Sequence, residues 1–247
     1  MMSLINFQEL NLTKEEKARF ALNMIHRLIF HHVFWFKEVE HQFGFEEALN
    51  ILNDVLTQGE KVHSRRIQKE LNVPFKDSLP EFLLNMDDEN LYKIMETVSK
   101  MWIANDGLWF LSVEQKRDMN DAKRCNDSCW CWFSPLEAWS IKRFLQLDKH
   151  PGLKGLEKAL NFRMYAFLNV QEIKWPNENT LEFYMKKCRV QDARKRKGLP
   201  DYPCKSAGLV EYRRFAETID SNIKTECIGC PPDEHPDDWF CAWRFTI

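Results

Sequence analysis

The sequence predicts an α+β protein, with duplicated helical hairpins in its N-terminal part and a C-terminal antiparallel sheet with helices packed on one side. Two observations carry this prediction: an internal repeat within the first 150 residues, and pairs of short alternating segments after residue 170. We expect a helical repeat unit over residues 1–80. Residues 81–247 are expected to hold the second helical repeat and an α+β ligand- and metal-binding domain.

The repeat emerges when the chain is compared with itself at an offset of 74 residues. Residues 35–40, Trp-Phe-x-x-Val-Glu, recur without a gap as residues 109–114. The same register pairs further residues of like type, Ala48 with Ala122 and Ile67 with Ile141. Each copy therefore predicts a helical hairpin. In the first copy, apolar residues at steps of three and four predict a buried helical stripe: Leu28, Ile29, Val33, Phe36 and Val39.

Two capping motifs predict where helices begin. Thr13 and Glu16 have the spacing of a capping box. Ser134, Pro135 and Glu137 combine an N-cap serine, a first-turn proline and the reciprocal glutamate, which predicts a new helix at this point.

The C-terminal part alternates between strand and helix patterns. Apolar residues at period two predict a β-hairpin and two closing strands, and two amphipathic stretches between them predict helices. In chain order the expected elements are strands over residues 170–175 and 181–185, helices over 189–197 and 208–219, and strands over 223–228 and 239–245. In the last strand, Trp239, Cys241, Trp243 and Phe245 are expected on one face.

Composition and targeting signals limit the functional class. The chain is 44% hydrophobic with a formal net charge of -2, which is typical of a folded protein and argues against nucleic-acid binding by bulk charge. Residues 1–9 lack an export signal, and the most apolar stretch, residues 28–36, is too short to span a membrane. We therefore expect a cytoplasmic protein with reduced thiols, for which metal ligation or catalysis explains clustered cysteines better than disulfides.

Cys188 is the candidate nucleophile. It lies where the second strand of the hairpin should end and a basic helix should begin, and both surroundings stabilise a thiolate and lower its pKa. Gln191 and Arg194, one turn further along that helix, could orient a substrate carboxylate. A small buried residue at a strand end is an equally good interpretation of Cys188.

The candidate metal ligands come from the last quarter of the chain. They are Cys204, Cys227, Cys230 and Cys241, with Glu226 beside the C-x-x-C turn and Asp233 and His235 as spare donors. Four thiolates suit zinc, and they suit an iron-sulfur cluster equally well. A second group, Cys125, Cys129 and Cys131, lies among tryptophans, where buried packing is the favoured interpretation and its role stays open.

Four motifs carry a family resemblance: residues 181–198 (Leu-x-Phe-x-Met-x-x-Cys-Arg-x-Gln-x-Ala-Arg-x-x-Lys-Gly), Pro203-Cys204, residues 226–233 (Glu-Cys-x-x-Cys-Pro-Pro-Asp) and residues 241–245 (Cys-Ala-Trp-Arg-Phe). They resemble an uncharacterised cytosolic family that is similar to the L-2-amino-thiazoline-4-carboxylate hydrolase-like proteins. More distantly, the cysteine pattern is similar to 4-vinyl-reductase-type small-molecule-binding domains. That resemblance implies zinc beside a hydrophobic ligand pocket, with Cys204, Cys227 and Cys241 as ligands.

Two functional hypotheses follow. The first is a metal- or thiol-dependent hydrolase that opens a C–N bond in a small cyclic or amide substrate, with Cys188 as nucleophile. The alternative is a zinc-containing, sensor-like protein that binds a small molecule without catalysis. Either way we expect a small-molecule partner rather than nucleic acid or a membrane, and a homodimer stays open.

Overall fold

The computed structural model describes residues 12–196, 198 and 201–247. The chain divides into two compact units, Met1–Asn85 and Met86–Ile247. Residues 1–9, where we found no export signal, and Lys197, the expected end of a helix, lie outside the described residues.

The first unit is a long helical hairpin followed by short elements. Its helices are α1 (Lys14–Phe43) and α2 (Phe45–Leu71), and Gly44 joins them at a φ of 86°, where a side chain would be strained. The strands β1 (Phe75–Lys76) and β2 (Leu79–Pro80) and the short helix α3 (Glu81–Leu84) complete it. The predicted capping box at Thr13 is confirmed, because its side chain accepts from the Glu16 backbone and Glu16 bonds back.

The predicted buried stripe on α1 is wrong. Helix α1 contains no buried residue, and only Phe36 and Val39 among the predicted five are half-buried, both close to the turn at Gly44. Leu28, Ile29 and Val33 are each more than half exposed. The spacing correctly predicted the helix, but the part of the chain that the structure describes provides no cover for this stripe.

The second unit opens with the other copy of the hairpin. Helix α4 (Asp88–Lys116) and helix α5 (Met119–Phe144) begin 74 residues after α1 and α2, so the helix starts follow the offset of the sequence repeat. Asp87 and Asp118 cap their first turns through side-chain oxygens. The duplicated helical hairpins are therefore confirmed.

The predicted helix start at Ser134 is wrong, because α5 continues through it. Pro135 lies inside the helix, where it removes one backbone hydrogen bond. The buried Ser134 hydroxyl instead donates to the backbone oxygen of Glu211, at 2.6 Å. The motif thus provides a contact between two helices rather than a cap.

The rest of the second unit is the α+β part. Its elements are α6 (Gly152–Leu160), a 3-10 turn (Met164–Phe167), β3 (Val170–Asn177), β4 (Thr180–Lys187), α7 (Arg189–Lys195), α8 (Lys205–Ile219), β5 (Lys224–Gly229) and β6 (Cys241–Thr246). The four longer strands form one antiparallel sheet in the order β3-β4-β6-β5. The predicted hairpin and the pairing of the last two strands are both confirmed.

One face of this sheet packs against helices. Phe183 and Trp243 are register partners on β4 and β6, and both are fully buried. The helices contribute further residues to the same core, among them Ile141 of α5, Leu156 of α6 and Phe215 of α8. The α+β fold class, with helices on one side of the sheet, is therefore confirmed.

Trp239 departs from the predicted strand face. It precedes β6, and its ring packs edge-on against that of Tyr184, with the centroids 6.0 Å apart. Tyr184 lies between two inward-facing residues of β4 and so points to the opposite face. The period-two pattern begins only at Cys241.

A buried ion cluster joins α5, α8 and the segment before the 3-10 turn. Arg163, which is only 1% exposed, donates to carboxylate oxygens of Glu137 and Glu211. Its guanidinium carbon also lies 4.8 Å from the ring centroid of Phe215. The single guanidinium thus gives both carboxylates a charged hydrogen-bond donor, which lowers the cost of burying them where the helices pack.

Candidate functional site: a cysteine cluster

Two cysteines from separate segments meet at the start of α8. Cys204 directly precedes this helix, and Cys230 follows β5. Their Sγ atoms lie 3.5 Å apart. The backbone N–H of Lys205 donates to the carbonyl oxygen of Pro231 at 2.9 Å, and its ammonium pairs with Asp233 at 2.7 Å. These bonds tie the first turn of α8 to the C-x-x-C loop and hold the two thiols together.

The environment favours a thiolate on Cys204 and a thiol on Cys230. The pKa of Cys204 is lowered, first by its hydrogen bond with Cys230 and also by the Gln191 amide, although burial opposes this. The pKa of Cys230 is raised, first by the same hydrogen bond and then by one with Cys241. Cys204 is therefore the more acidic member of the pair.

Gln191 positions this cluster rather than a substrate. The amide oxygen of this buried side chain accepts from the Tyr202 backbone N–H at 2.8 Å, and its NH2 group donates to the Tyr202 carbonyl at 2.9 Å. The same NH2 group lies 3.6 Å from the Cys204 Sγ. Because these bonds occupy the amide, the expected carboxylate-orienting role has no support in the geometry.

The predicted lowering of the Cys188 pKa is wrong. Burial raises its pKa to about 12, and weaker backbone hydrogen bonds from Gln191 and Val190 only partly oppose this. Desolvation wins because the thiol packs against the core, and the basic side chains that were expected to stabilise a thiolate do not compensate. The charges of Cys241 and Cys204 raise the Cys188 pKa further, so Cys188 borders the cluster.

Arg194 also lies near the cluster. Burial raises the pKa of Tyr202, and the positive charge of Arg194 is one of the influences that oppose this rise. Gln191 bonds to the Tyr202 backbone, and the charge of Arg194 acts on the side chain of the same residue.

Cys227 and Glu226 point to opposite faces of the sheet. Cys227 is the register partner of Trp243 and packs against the core, where burial raises its pKa to about 11. Glu226 pairs with Arg244 on β6, and its carboxylate binds the Arg244 guanidinium at 3.0 Å on the exposed face. Glu226 thus points away from the face that Cys227 shares with the core, because successive strand residues alternate in direction, and its role as a metal ligand stays a prediction.

The two spare donors are engaged elsewhere. Asp233 pairs with Lys205, and the imidazole of His235 lies 3.0 Å from a carboxylate oxygen of Asp201. Among residues 12–196, 198 and 201–247, no group of three or more His, Cys, Asp or Glu side chains is arranged to hold a metal ion. Cys125, Cys129 and Cys131 all lie on α5, away from the sheet cysteines, and carry free thiols.

Sequence reasoning missed the pairing of Cys204 with Cys230 and the role of Tyr202. A usable signal was present: Cys204, like Cys188, comes directly before a helix. The contact that brings Cys230 to α8 depends on how the end of β5 lies against this helix, which no local pattern reveals.

Alkylation should distinguish the two candidate nucleophiles. In metal-free, reduced protein near neutral pH, we expect iodoacetamide to label Cys204 roughly tenfold faster than Cys188, because only the thiolate reacts. The labelling rate of Cys188 should keep rising as the pH approaches its pKa of about 12. Peptide mass spectrometry at a series of pH values measures both rates, and faster labelling of Cys188 at neutral pH would contradict the assignment.

The fold and the site together define an α+β domain with a buried cluster of reduced cysteines between its sheet and one helix. A family model for a family of unknown function, DUF6125, matches residues 84–247. The chain therefore belongs to this family, and the match spans the second helical hairpin and the sheet. The comparisons with curated proteins and with solved structures found no match. In the described residues, no helix is long and apolar enough to cross a membrane.

Proposed function

We propose that the second unit binds a small organic molecule and that its cysteine cluster holds a structural zinc ion. The observation that carries this proposal is the approach of Cys204 and Cys230, from two separate segments, to 3.5 Å. Thiols suit a soft cation better than they suit oxygen-preferring ions. We place the protein in the cytoplasm, where such thiols stay reduced.

The thiol pair has dimensions that suit zinc. With Zn–S bonds of about 2.3 Å, two sulfurs of a tetrahedral site lie roughly 3.8 Å apart. Cys204 and Cys230 would be the first two ligands, and Cys241 the third. Cys227 faces the same side of the sheet and would be the fourth, and its pKa already responds to the charge of Cys241. The side chains of Cys227 and Cys241 would turn toward the pair when the ion binds.

A binding function is favoured over the hydrolase. A zinc ion with four thiolate ligands has no open position for water. The predicted nucleophile Cys188 has a pKa of about 12, and Gln191 is occupied with Tyr202. The resemblance to 4-vinyl-reductase-type domains supports a small-molecule ligand beside such an ion.

One observation favours the hydrolase as the second candidate, namely the lowered pKa of Cys204. In this alternative the Cys204 thiolate would attack the carbon of a C–N bond in a cyclic or amide substrate, and the nitrogen would leave as an amine after it takes up a proton. Water would then hydrolyse the C–S bond, which releases the product and restores the thiol. Cys204 would then take the catalytic role that we first predicted for Cys188.

Metal analysis of matched cysteine variants tests the proposal. We expect full-length protein, purified anaerobically without chelator, to carry about one zinc ion per chain and to be colourless. Cys204→Ser and Cys230→Ser should each lose most of this zinc and melt roughly 5–10 °C lower, because metal binding contributes to folding free energy. Cys125→Ser is the control, since it changes an exposed thiol of α5, and it should keep both zinc and melting temperature.

Other results would redirect the assignment. A brown protein with iron and sulfide would replace zinc by an iron-sulfur cluster in the same thiolates. Metal-free wild-type protein that hydrolyses a thiazoline or amide, and loses this activity in Cys204→Ser but not in Cys188→Ala, would establish the second candidate. Equal zinc in the wild type, Cys204→Ser and Cys125→Ser would refute the metal site.

A further inference from the structure

Helix α1 is apolar on all its sides at its centre, yet it is exposed. Residues 28–36 contain no Asp, Glu, Lys or Arg. Six of these nine side chains are large, apolar and more than half exposed: Leu28, Ile29, Phe30, Val33, Phe34 and Trp35. A helix that is apolar all round is normally covered by a protein core or a membrane. No described helix is suited to cross a membrane.

The internal repeat allows the exposed face of α2 to be compared with the equivalent face of α5, on which other elements pack. In the 74-residue register, Leu56 and Ile67 of α2 correspond to Trp130 and Ile141 of α5. Leu56 is 42% exposed while Trp130 is 4% exposed, and Ile67 is 38% exposed while Ile141 is 8% exposed. Helix α5 is covered because α8 and the sheet pack on it, as Ser134 and Ile141 illustrate. The equivalent face of α2 keeps its apolar residues without such a layer.

The exposed area matches what a dimer requires. A large apolar side chain that is half exposed leaves about 100 Å² uncovered. Four of the α1 residues named above, Ile29, Phe30, Val33 and Phe34, share one side of α1. Together with Leu56 and Ile67 they present roughly 600 Å², so two copies would bury about 1,200 Å², the lower end of the range for stable interfaces. Two hairpins that pair about a twofold axis would form a four-helix bundle, a common way to bury such faces.

The charges that flank the apolar run also suit a second copy. Exposed Arg27 precedes the run, and exposed Glu38 follows it. In an antiparallel pair of α1 helices centred between residues 32 and 33, position 27 of one copy lies opposite position 38 of the other. Each end of the pair would then join an arginine to a glutamate, and the helix dipoles would be opposed.

We propose that α1 and α2 form a dimerisation surface, which pairs with the same hairpin of a second copy of this chain. The surface consists of the apolar run at residues 28–36 together with Leu56 and Ile67. This inference uses only the first hairpin, so it stands or falls independently of the cysteine cluster.

Light scattering coupled to size exclusion tests the proposal on the full chain. We expect the wild type to have twice the 29.6 kDa mass of one chain at micromolar concentration. The double variant Leu56→Glu/Ile67→Glu should weaken dimerisation about 100-fold, because two charges would enter a dry interface, and it should elute as a monomer. Gln58→Glu adds a charge to the same helix at an exposed polar position and should remain a dimer.

Circular dichroism tests whether a monomeric variant is still folded. If the glutamate variant loses helical signal, Leu56→Ala/Ile67→Ala replaces it and should weaken the dimer about tenfold while it keeps the wild-type spectrum. Mixing wild-type protein with a differently tagged wild type should yield a mixed dimer. A wild type that is monomeric at every concentration would overturn the proposal, as would a dimer that the folded variants leave unchanged.

Discussion

Replacement of Arg163 by methionine is expected to lower the free energy of unfolding by about 3–5 kcal/mol. The guanidinium is the partner of Glu137 and Glu211, both of which are buried. Without it, two carboxylates would stay in the core next to each other with no counter-charge. Denaturant unfolding of the variant and the wild type measures this loss.

The pH dependence of this effect has a definite sign. Burial already raises the pKa of Glu211 in the presence of Arg163, and removal of the arginine would raise it further. A carboxyl with a raised folded-state pKa destabilises the fold as the pH rises above its unfolded value. The difference in unfolding free energy between Arg163→Met and the wild type should therefore be smaller at pH 5 than at pH 8. At the lower pH the carboxyl is protonated, and a neutral group is easier to bury.

Arg213→Met provides the matched control. Arg213 also pairs with a glutamate, Glu217, at 2.7 Å, but on the exposed side of α8. Its loss should change stability by no more than about 0.5 kcal/mol. Similar effects of the two substitutions would mean that the buried cluster does not hold α5 and α8 together.

Gly208→Ala is expected to destabilise the protein by about 1–3 kcal/mol. Replacement of a glycine inside a helix by alanine usually has the opposite effect and stabilises the protein. A Cβ at Gly208 would lie 2.7 Å from Cζ2 of Trp243 and 3.8 Å from the Cys230 Sγ. The Trp243 ring cannot easily retreat, because it stacks on Tyr212 with centroids 4.6 Å apart. The methyl group should therefore displace the tryptophan and disturb the cysteine cluster.

The same substitution at Gly107 is expected to stabilise the protein. This glycine lies within α4, and a Cβ there meets nothing within 4 Å. Gly107→Ala should stabilise the protein by about 0.5–1 kcal/mol through helix propensity alone. Thermal unfolding of both variants measures the sign of each stability change. Tryptophan fluorescence provides a second readout for Gly208→Ala. Stabilisation by Gly208→Ala would show that the ring has room to move.

The elements of the fold could be predicted because their signals are local. The 74-residue offset placed both hairpins, and strand alternation placed the sheet. The start expected at Ser134 failed because its hydroxyl bonds to Glu211, 77 residues later in the chain. A capping motif and a helix-contact motif are composed of the same residue types, so sequence alone could not separate them.

The sequence indicated which residues belong to the candidate site, but it did not predict the role of each one. Cys204 and Cys230 are in contact, and Cys241 contributes to the raised pKa of Cys230. The pKa shift of Cys188 and the direction of the Glu226 side chain could not be predicted, for different reasons. The first depends on how deeply a strand end is buried, and the second on which way one residue of β5 points. Both properties depend on neighbours that are remote in sequence.

The amino-acid sequence by itself determined the repeated hairpins, the order of strands and helices along the chain, and the supply of thiols near its end. The hydrophobic periods of helices and strands are local properties of the sequence, so they can be recognised without knowing which segments pack together. Only the tertiary structure decided which thiol carries a lowered pKa, and that α5 is covered while its counterpart α2 is not. Desolvation and packing act between surfaces, and those surfaces come together only when distant segments fold against each other.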